Sequence, residues 1–238
     1  MSLRVAVSSV TVRVVAVAFR RASEYRAPKG HLVVSAPIVI GRLYLAPIVL
    51  EFLRAYPDID VELKLGEHAG NLIEEQTDVA VRIGPSPDSG LIALRAGEIR
   101  HVVCASPAYI AQRGAPQHPH DLAGHDCITL MPWETPTEWI FTLDKRTTKV
   151  AVRRRLAVTT AETAADAAVA GLGIAHLFCY QVSQAFADGT LALLIRDFEP
   201  PPFPVNFVYP SGRHIPLKLR AFLDFVLPQI KAKLVFAA

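Results

Sequence analysis

The alternation of Ile59, Val61, Leu63 and Leu65 with Asp60, Glu62 and Lys64 is the clearest periodic signal in the chain. Successive side chains of a strand point to opposite faces, so this stretch predicts a half-buried strand. Before it, Leu43, Leu45, Ile48, Val49, Phe52 and Leu53 recur at helical spacing over about 40–56, and Tyr56-Pro57-Asp58 closes the segment. Pro47 lies inside that helix and predicts a bend or a restart there. The apolar runs 31–35, after the turn residues Pro28-Lys29-Gly30, and 78–84 read as buried strands. With a short helix expected over 71–76, the pattern is β-α-β-α-β, which predicts a largely parallel sheet.

Further on, strands are expected at 91–94 and 100–105, and a helix from Ser106-Pro107-Ala108-Tyr109. A loop rich in proline and histidine (116–125) leads to strands at 127–130, 139–143 and 151–158. Thr159-x-x-Glu162 has capping-box spacing before an alanine-rich helix over 163–170, which Gly171 or Gly173 can close. A helix over 178–187, a turn at Asp188-Gly189 and a strand at 191–195 follow. After the proline-rich link 199–204 come a strand at 205–209 and an amphipathic helix from 217 to about 233. The expected division is a first lobe of about 28–105 plus 199–238 and a second of about 106–198. Two crossings between lobes make a hinge, and a cleft between lobes favours a small-molecule site.

The 238 residues are 51% hydrophobic, enough for a substantial core. Twenty-five basic and 22 acidic side chains leave a formal charge of +3, closer to balance than a dedicated nucleic-acid module. Cys104, Cys127 and Cys179 lack any C-x-x-C spacing, a usage that fits a reducing cytoplasm. No apolar run reaches the roughly 18 residues of a membrane span. Within the first 26 residues Arg13 breaks the apolar stretch and Arg20-Arg21 follows it, the reverse of a signal peptide.

Several segments, taken in order, resemble the effector-binding domain of LysR-type transcriptional regulators: Gly30-His31-Leu32-Val33-Val34-Ser35-Ala36-Pro37, Leu45-Ala46-Pro47 with Glu51-Phe52-Leu53-Arg54-Ala55-Tyr56-Pro57, and Asp78-Val79-Ala80-Val81-Arg82-Ile83-Gly84. Ala105-Ser106-Pro107-Ala108-Tyr109, Asp121-Leu122-Ala123-Gly124-His125-Asp126-Cys127-Ile128, Ala170-Gly171-Leu172-Gly173-Ile174-Ala175 and Lys218-Leu219-Arg220-Ala221-Phe222-Leu223-Asp224-Phe225 continue the match over about 28–230. The resemblance implies an α/β fold of two Rossmann-like lobes around an effector cleft, similar to type 2 periplasmic binding proteins. It also implies a cytoplasmic homo-oligomer, dimer or tetramer, that reaches DNA only through a helix-turn-helix domain. Residues 1–27 depart from the family plan and read as the end of a linker helix or as an appended tail. A type 2 solute-binding protein for transport is the alternative with the same fold.

Ser35-Ala36-Pro37 stands where a strand gives way to a helix, whose free N–H groups favour an anion. The Thr159 to Thr163 segment starts a second-lobe helix by the same logic, and its hydroxyls could complete a polar cradle for a carboxylate. The resemblance likewise implies effector contacts near Ser35, Pro37, Ser106, Thr129 and Thr160 to Glu162, so the expected contacts are Ser35, Ala36, Pro37, Arg82, Ser106, Pro107, Thr129, Thr160, Ala161 and Glu162, and the expected ligand is a small carboxylate. Helix capping explains Ser35, Thr159 and Thr160 equally well, and a structural ion pair explains Arg82. Glu162 would repel an anion, which leaves a neutral ligand as an alternative. His118, His120 and His125 with Asp121, Asp126 and Cys127 form the nearest approach to a metal cluster, in a loop poorly suited to converge four ligands. No G-x-S-x-G elbow is present, and Gly171-x-Gly173 follows a helix rather than opening one, so no enzyme, cofactor or metal is expected. Cys104 reads as a core thiol, and Arg153-Arg154-Arg155 as a solvated strand edge.

Overall fold

The computed structural model describes residues 27–66, 72–85, 90–130, 137–212 and 214–234. At the centre of the first lobe, β1 (Gly30–Ala36) buries Leu32, Val33 and Val34 between two parallel neighbours, β2 (Ile59–Leu65) and β3 (Val79–Ile83). The sheet is completed by β12 (Phe203–Pro210), antiparallel to both its neighbours β3 and β4 (Leu91–Ile99), in the order β2-β1-β3-β12-β4.

A continuous helical stretch, α1, joins β1 to β2 as Ile38–Ile40, a π-helical turn Gly41–Leu45, and Ala46–Ala55. Pro47 offers no N–H to the carbonyl of Leu43, and the wider turn just before it accommodates that loss. The bend expected at Pro47 thus takes the form of a π turn. The C-terminal helix α5 (Leu217–Lys233) packs on α1, with Phe222 and Phe225 set edge-on to Phe52 at 5.3 and 5.6 Å. Its start is pinned by Lys218, whose Nζ lies 2.9 Å from Asp78 Oδ1 and also reaches the carbonyl of His31. Asp78 Oδ2 in turn accepts from the Val33 N–H at 2.8 Å.

The second sheet has the order β11 (Ala192–Leu194), β5 (His101–Ala105), β10 (Ile174–Phe178), β6 (Cys127–Thr129), β9 (Arg154–Ala157). One face packs against α3 (Ala161–Val169) through Ala164 and Ala168. A separate hairpin, β7 (Glu138–Leu143) and β8 (Arg146–Ala151), packs Trp139, Phe141 and Val150 with Val103, Cys127 and Ile174. Two shorter helices, α2 (Pro107–Arg113) and α4 (Ser183–Ala187), complete the lobe. The chain leaves the first sheet at Ile99 and enters the second at His101, so the first crossing lies at Arg100 rather than at the 105/106 boundary read from the sequence. The return crossing runs between β11 and β12, and Arg100 meets Glu199 there at 2.7 Å.

Several local expectations change. Residues 72–76 form turns instead of a helix, ending with Gln76 at φ 50 and the Thr77 N–H bonded to the carbonyl of Leu72. So few residues do not repay helix nucleation. The strand expected over 151–158 is divided between β8 and β9, which belong to different sheets. β8 was hidden because Asp144-Lys145, both at positive φ (49 and 62), makes a tight hairpin turn without the usual glycine. The Thr159–Glu162 capping box does not form: Thr160 is the N-cap, accepting from the Thr163 N–H at 3.4 Å. At the other end Gly171, at φ +81, closes α3 as a Schellman motif, its N–H bonding Ala168 and that of Leu172 bonding Ala167. Gly173 has a separate duty, since a Cβ there would stand 2.2 Å from the backbone oxygen of Asp126. The expected linker helix or tail over 1–26 lies outside the described residues. No helix among the described residues is long and apolar enough to cross a membrane.

Candidate functional site

β1 and β3 end side by side, and their C-terminal residues open onto a cavity of ≈ 620 Å³ between the lobes. Ser35, Ala36 and Pro37 form one wall. Pro37 is the N-cap of α1, so the amides of Ile38, Val39 and Ile40 lie in the first helical turn with no carbonyl one turn back, and no side chain caps them. Lys64, next to last in β2, stands beside them, and Arg82 comes from β3. Burial draws the Arg82 guanidinium below its ordinary pKa, while Glu75, another wall residue, pulls the other way. Lys64 Nζ donates to the Glu75 carbonyl at 3.1 Å. The second lobe supplies Phe178, Tyr180 and Gln181, at and just beyond the end of β10, and the hinge strand β12 supplies Phe203. The Gln181 side-chain carbonyl accepts from the Phe178 N–H at 2.9 Å, which fixes this corner.

The structure brings four of the expected contact residues, Ser35, Ala36, Pro37 and Arg82, to this cavity. Thr129 lines a smaller neighbouring cavity of ≈ 280 Å³. Ser106 and Pro107 lie elsewhere: the Ser106 hydroxyl is buried as the N-cap of α2, accepting from the Tyr109 N–H at 3.2 Å. Thr160, Ala161 and Glu162 do not line the cavity either. Thr160 spends its hydroxyl on Thr163, Ala161 is buried against the sheet, and Glu162 faces Arg42 of the first lobe at 3.8 Å. Lys64, Phe178, Tyr180, Gln181 and Phe203 were missed, because a residue at a strand end carries no distinctive pattern in one sequence. The polar lining at the end of β2 was the available signal for Lys64.

The lobes also touch beside the cleft, where Tyr44 of α1 meets Tyr180 edge-on at 6.2 Å. The histidine-rich loop is committed to structure. Asp121 accepts from the N–H groups of Gln117 and His118, His125 Nδ1 meets the Tyr109 hydroxyl at 3.1 Å, and Asp126 faces Arg113 and Arg153. Among the described residues no cluster suited to a metal ion is found. Burial pushes the Cys104 thiol up to about 12, consistent with a core role.

Comparison with known proteins gives the same architecture. Residues 26–231 match the family model of the LysR substrate binding domain. The chain is 30% identical over 210 residues to the probable HTH-type transcriptional regulator LtrA of Klebsiella pneumoniae, covering 86% of this chain and 67% of that protein. Among solved structures, the LysR-type transcriptional regulator CrgA of Neisseria meningitidis superposes with a TM-score of 0.77 at 30% identity, over 92% of this chain and 74% of that one. Full-length AphB of Vibrio cholerae gives 0.76 at 28% identity, over 91% and 74%. The chain thus spans about two thirds of the length of the curated relatives it matches.

Proposed function

The chain belongs to the LysR substrate-binding-domain family and is the effector-binding part of a LysR-type transcriptional regulator, and we propose that its inter-lobe cleft senses a small carboxylate. The observation that carries this reading is the convergence of an uncapped helix start at Pro37 with Arg82 and Lys64 on one cavity wall. A helix N-terminus and two cations against the single carboxylate of Glu75 leave an excess of positive charge that favours an anionic group, and ≈ 620 Å³ is room for a metabolite of ordinary size. The relatives are regulators, which favours regulation over the transport alternative.

A ligand that bridges the lobes favours one lobe arrangement over another and shifts a pre-existing equilibrium. Such a shift changes the spacing of DNA-binding heads in a cytoplasmic homo-oligomer, a dimer or tetramer, that contacts DNA through a helix-turn-helix domain. Leu43 and Leu50 on α1 and Val169 and Leu172 at the end of α3 are exposed apolar side chains, and they suit side-by-side antiparallel pairing of two copies. The reading assigns no catalytic step and no cofactor.

The test is a thermal-shift screen against small carboxylates, amino acids, aromatic acids and sugars. A carboxylate raises the melting temperature in a saturable way in the wild type, and the shift shrinks in Arg82→Ala and Ser35→Ala. Shifts from neutral sugars alone, or a carboxylate shift that both variants retain in full, would sink the carboxylate reading.

A further inference from the structure

Beside the cleft, on the face of the second sheet packed by the β7–β8 hairpin, lies a chamber of ≈ 280 Å³ that opens to solvent past Glu138 and Ile140. Phe178 and Phe203, edge-on to each other at 5.5 Å, line both this chamber and the cleft and so form their common wall. Trp139 of the hairpin lines it as well. His176, on the central strand β10, also lines it, stacked at 3.8 Å on His101, 5.1 Å from Trp139 and 5.5 Å from Phe141. His176 is only 7% exposed, and its Nε2 is buried with no hydrogen-bond partner among the described residues. A buried polar atom of that kind is uncommon in a native fold and calls for an explanation.

The chemistry of the walls narrows the occupant. Burial holds His101 down at about 4 and His176 well below its ordinary value, so neither ring is charged at neutral pH. Among the described residues the charged side chains on the lining, Glu138 and Arg154, are of opposite sign. An anion therefore gains little here, in contrast to the cleft. A dry cavity of about 150 Å³ suffices for benzene, so this chamber has room for one substituted ring. Aromatic walls favour offset or edge-on contact with another ring. A neutral imidazole nitrogen pairs with a hydroxyl, which can donate or accept according to the tautomer.

We propose that this chamber is a second ligand site, taking a small neutral hydroxylated aromatic compound with its ring among Trp139, Phe178 and Phe203 and its hydroxyl at His176 Nε2. Because Phe178 and Phe203 face both cavities, an occupant of the chamber stiffens the wall against which a cleft ligand closes. The site stands whether or not the cleft takes a carboxylate.

Phenol, toluene and benzoate, titrated calorimetrically into the wild type, His176→Phe and Arg82→Ala, test the assignment. Phenol binds the wild type and Arg82→Ala alike, and roughly fivefold to tenfold more weakly in His176→Phe, whereas toluene does not distinguish wild type from His176→Phe. In wild-type protein labelled at histidine, phenol also moves the His176 ring nitrogen resonances, a readout that needs no variant. The proposal falls if phenol fails to bind at millimolar concentration, if its affinity survives His176→Phe with the ring resonances unmoved, or if it competes with benzoate and is lost in Arg82→Ala. Loss of benzoate binding alone in Arg82→Ala bears on the cleft and leaves the chamber intact.

Discussion

Arg100 and Glu199 occupy the two places where the chain passes between lobes, and their 2.7 Å ion pair joins the crossings. The side chains are 23% and 11% exposed, so neither charge is well hydrated. Burial raises the Glu199 pKa above its ordinary value even though Arg100 pulls it down. The attraction therefore does not fully recover the cost of burying the carboxylate, and Glu199 Oε1 has no partner among the described residues. Removing Arg100 alone should hurt most, because it strands the more buried charge. Arg100→Met is expected to cost about 3 kcal/mol. Glu199→Gln, which leaves a longer and more exposed cation behind, is expected to cost about 1 kcal/mol. The double variant buries no charge and should also lose only about 1 kcal/mol, which makes the coupling about 3 kcal/mol. Urea unfolding of the four proteins at pH 7 measures this directly. Relative to the double variant, Arg100→Met should also gain stability as the pH falls from 7 towards 5, since its stranded carboxylate takes up a proton more readily folded than unfolded. Strictly additive single effects, or an Arg100→Met no more sensitive to pH than the double variant, would refute the account of the hinge as a pair bound by mutual need.

Two further outcomes follow from the packing. Gly173→Ala puts a methyl group into the Asp126 backbone oxygen and should cost about 3 kcal/mol in urea unfolding, a loss that a larger residue at the open position Gly124 would not reproduce. His101, held at about 4 in the fold against 6.5 in the unfolded chain, contributes stability that is complete above pH 6.5 and drains away as the pH falls towards 4. The loss is at most about 3 kcal/mol. A midpoint of denaturation that stays level between pH 7 and 5, or one whose slope is untouched by His101→Phe, would contradict it.

Legibility in the sequence followed the reach of the interactions. The strand Ile59–Leu65 and the helix Leu217–Lys233 were readable because each turns one face to a core, and that face repeats at the element's own period. β8 was not readable, since its residues Arg146–Lys149 are polar or half-exposed and its turn uses Asp144-Lys145. The sequence predicts β4 only to 94, although it runs to Ile99, because Arg95, Gly97 and Glu98 look like a loop until β12 is laid against them. In the cleft, Ser35 and Arg82 stood out through the local logic of strand ends and family motif. Phe178 and Phe203 did not, because they become neighbours only through long-range pairing of β10 and β12 with their separate sheets. The second helix start is capped by Thr160, one residue beyond the Thr159 that the capping-box spacing predicts, and it lies outside the cavity lining.

The insertion of β12 between β3 and β4 has a consequence for how the chain is made. The second lobe is one uninterrupted stretch from His101 to the return crossing, whereas the first sheet lacks an interior strand until residue 210 has been synthesised. On the ribosome the later-encoded lobe is thus complete before the one that begins the chain. Until then β3 and β4 present open hydrogen-bonding edges, with Val79, Ala80 and Val81 beside them. Chains that stop short of Phe203 should accordingly retain a folded second lobe and aggregate through the first.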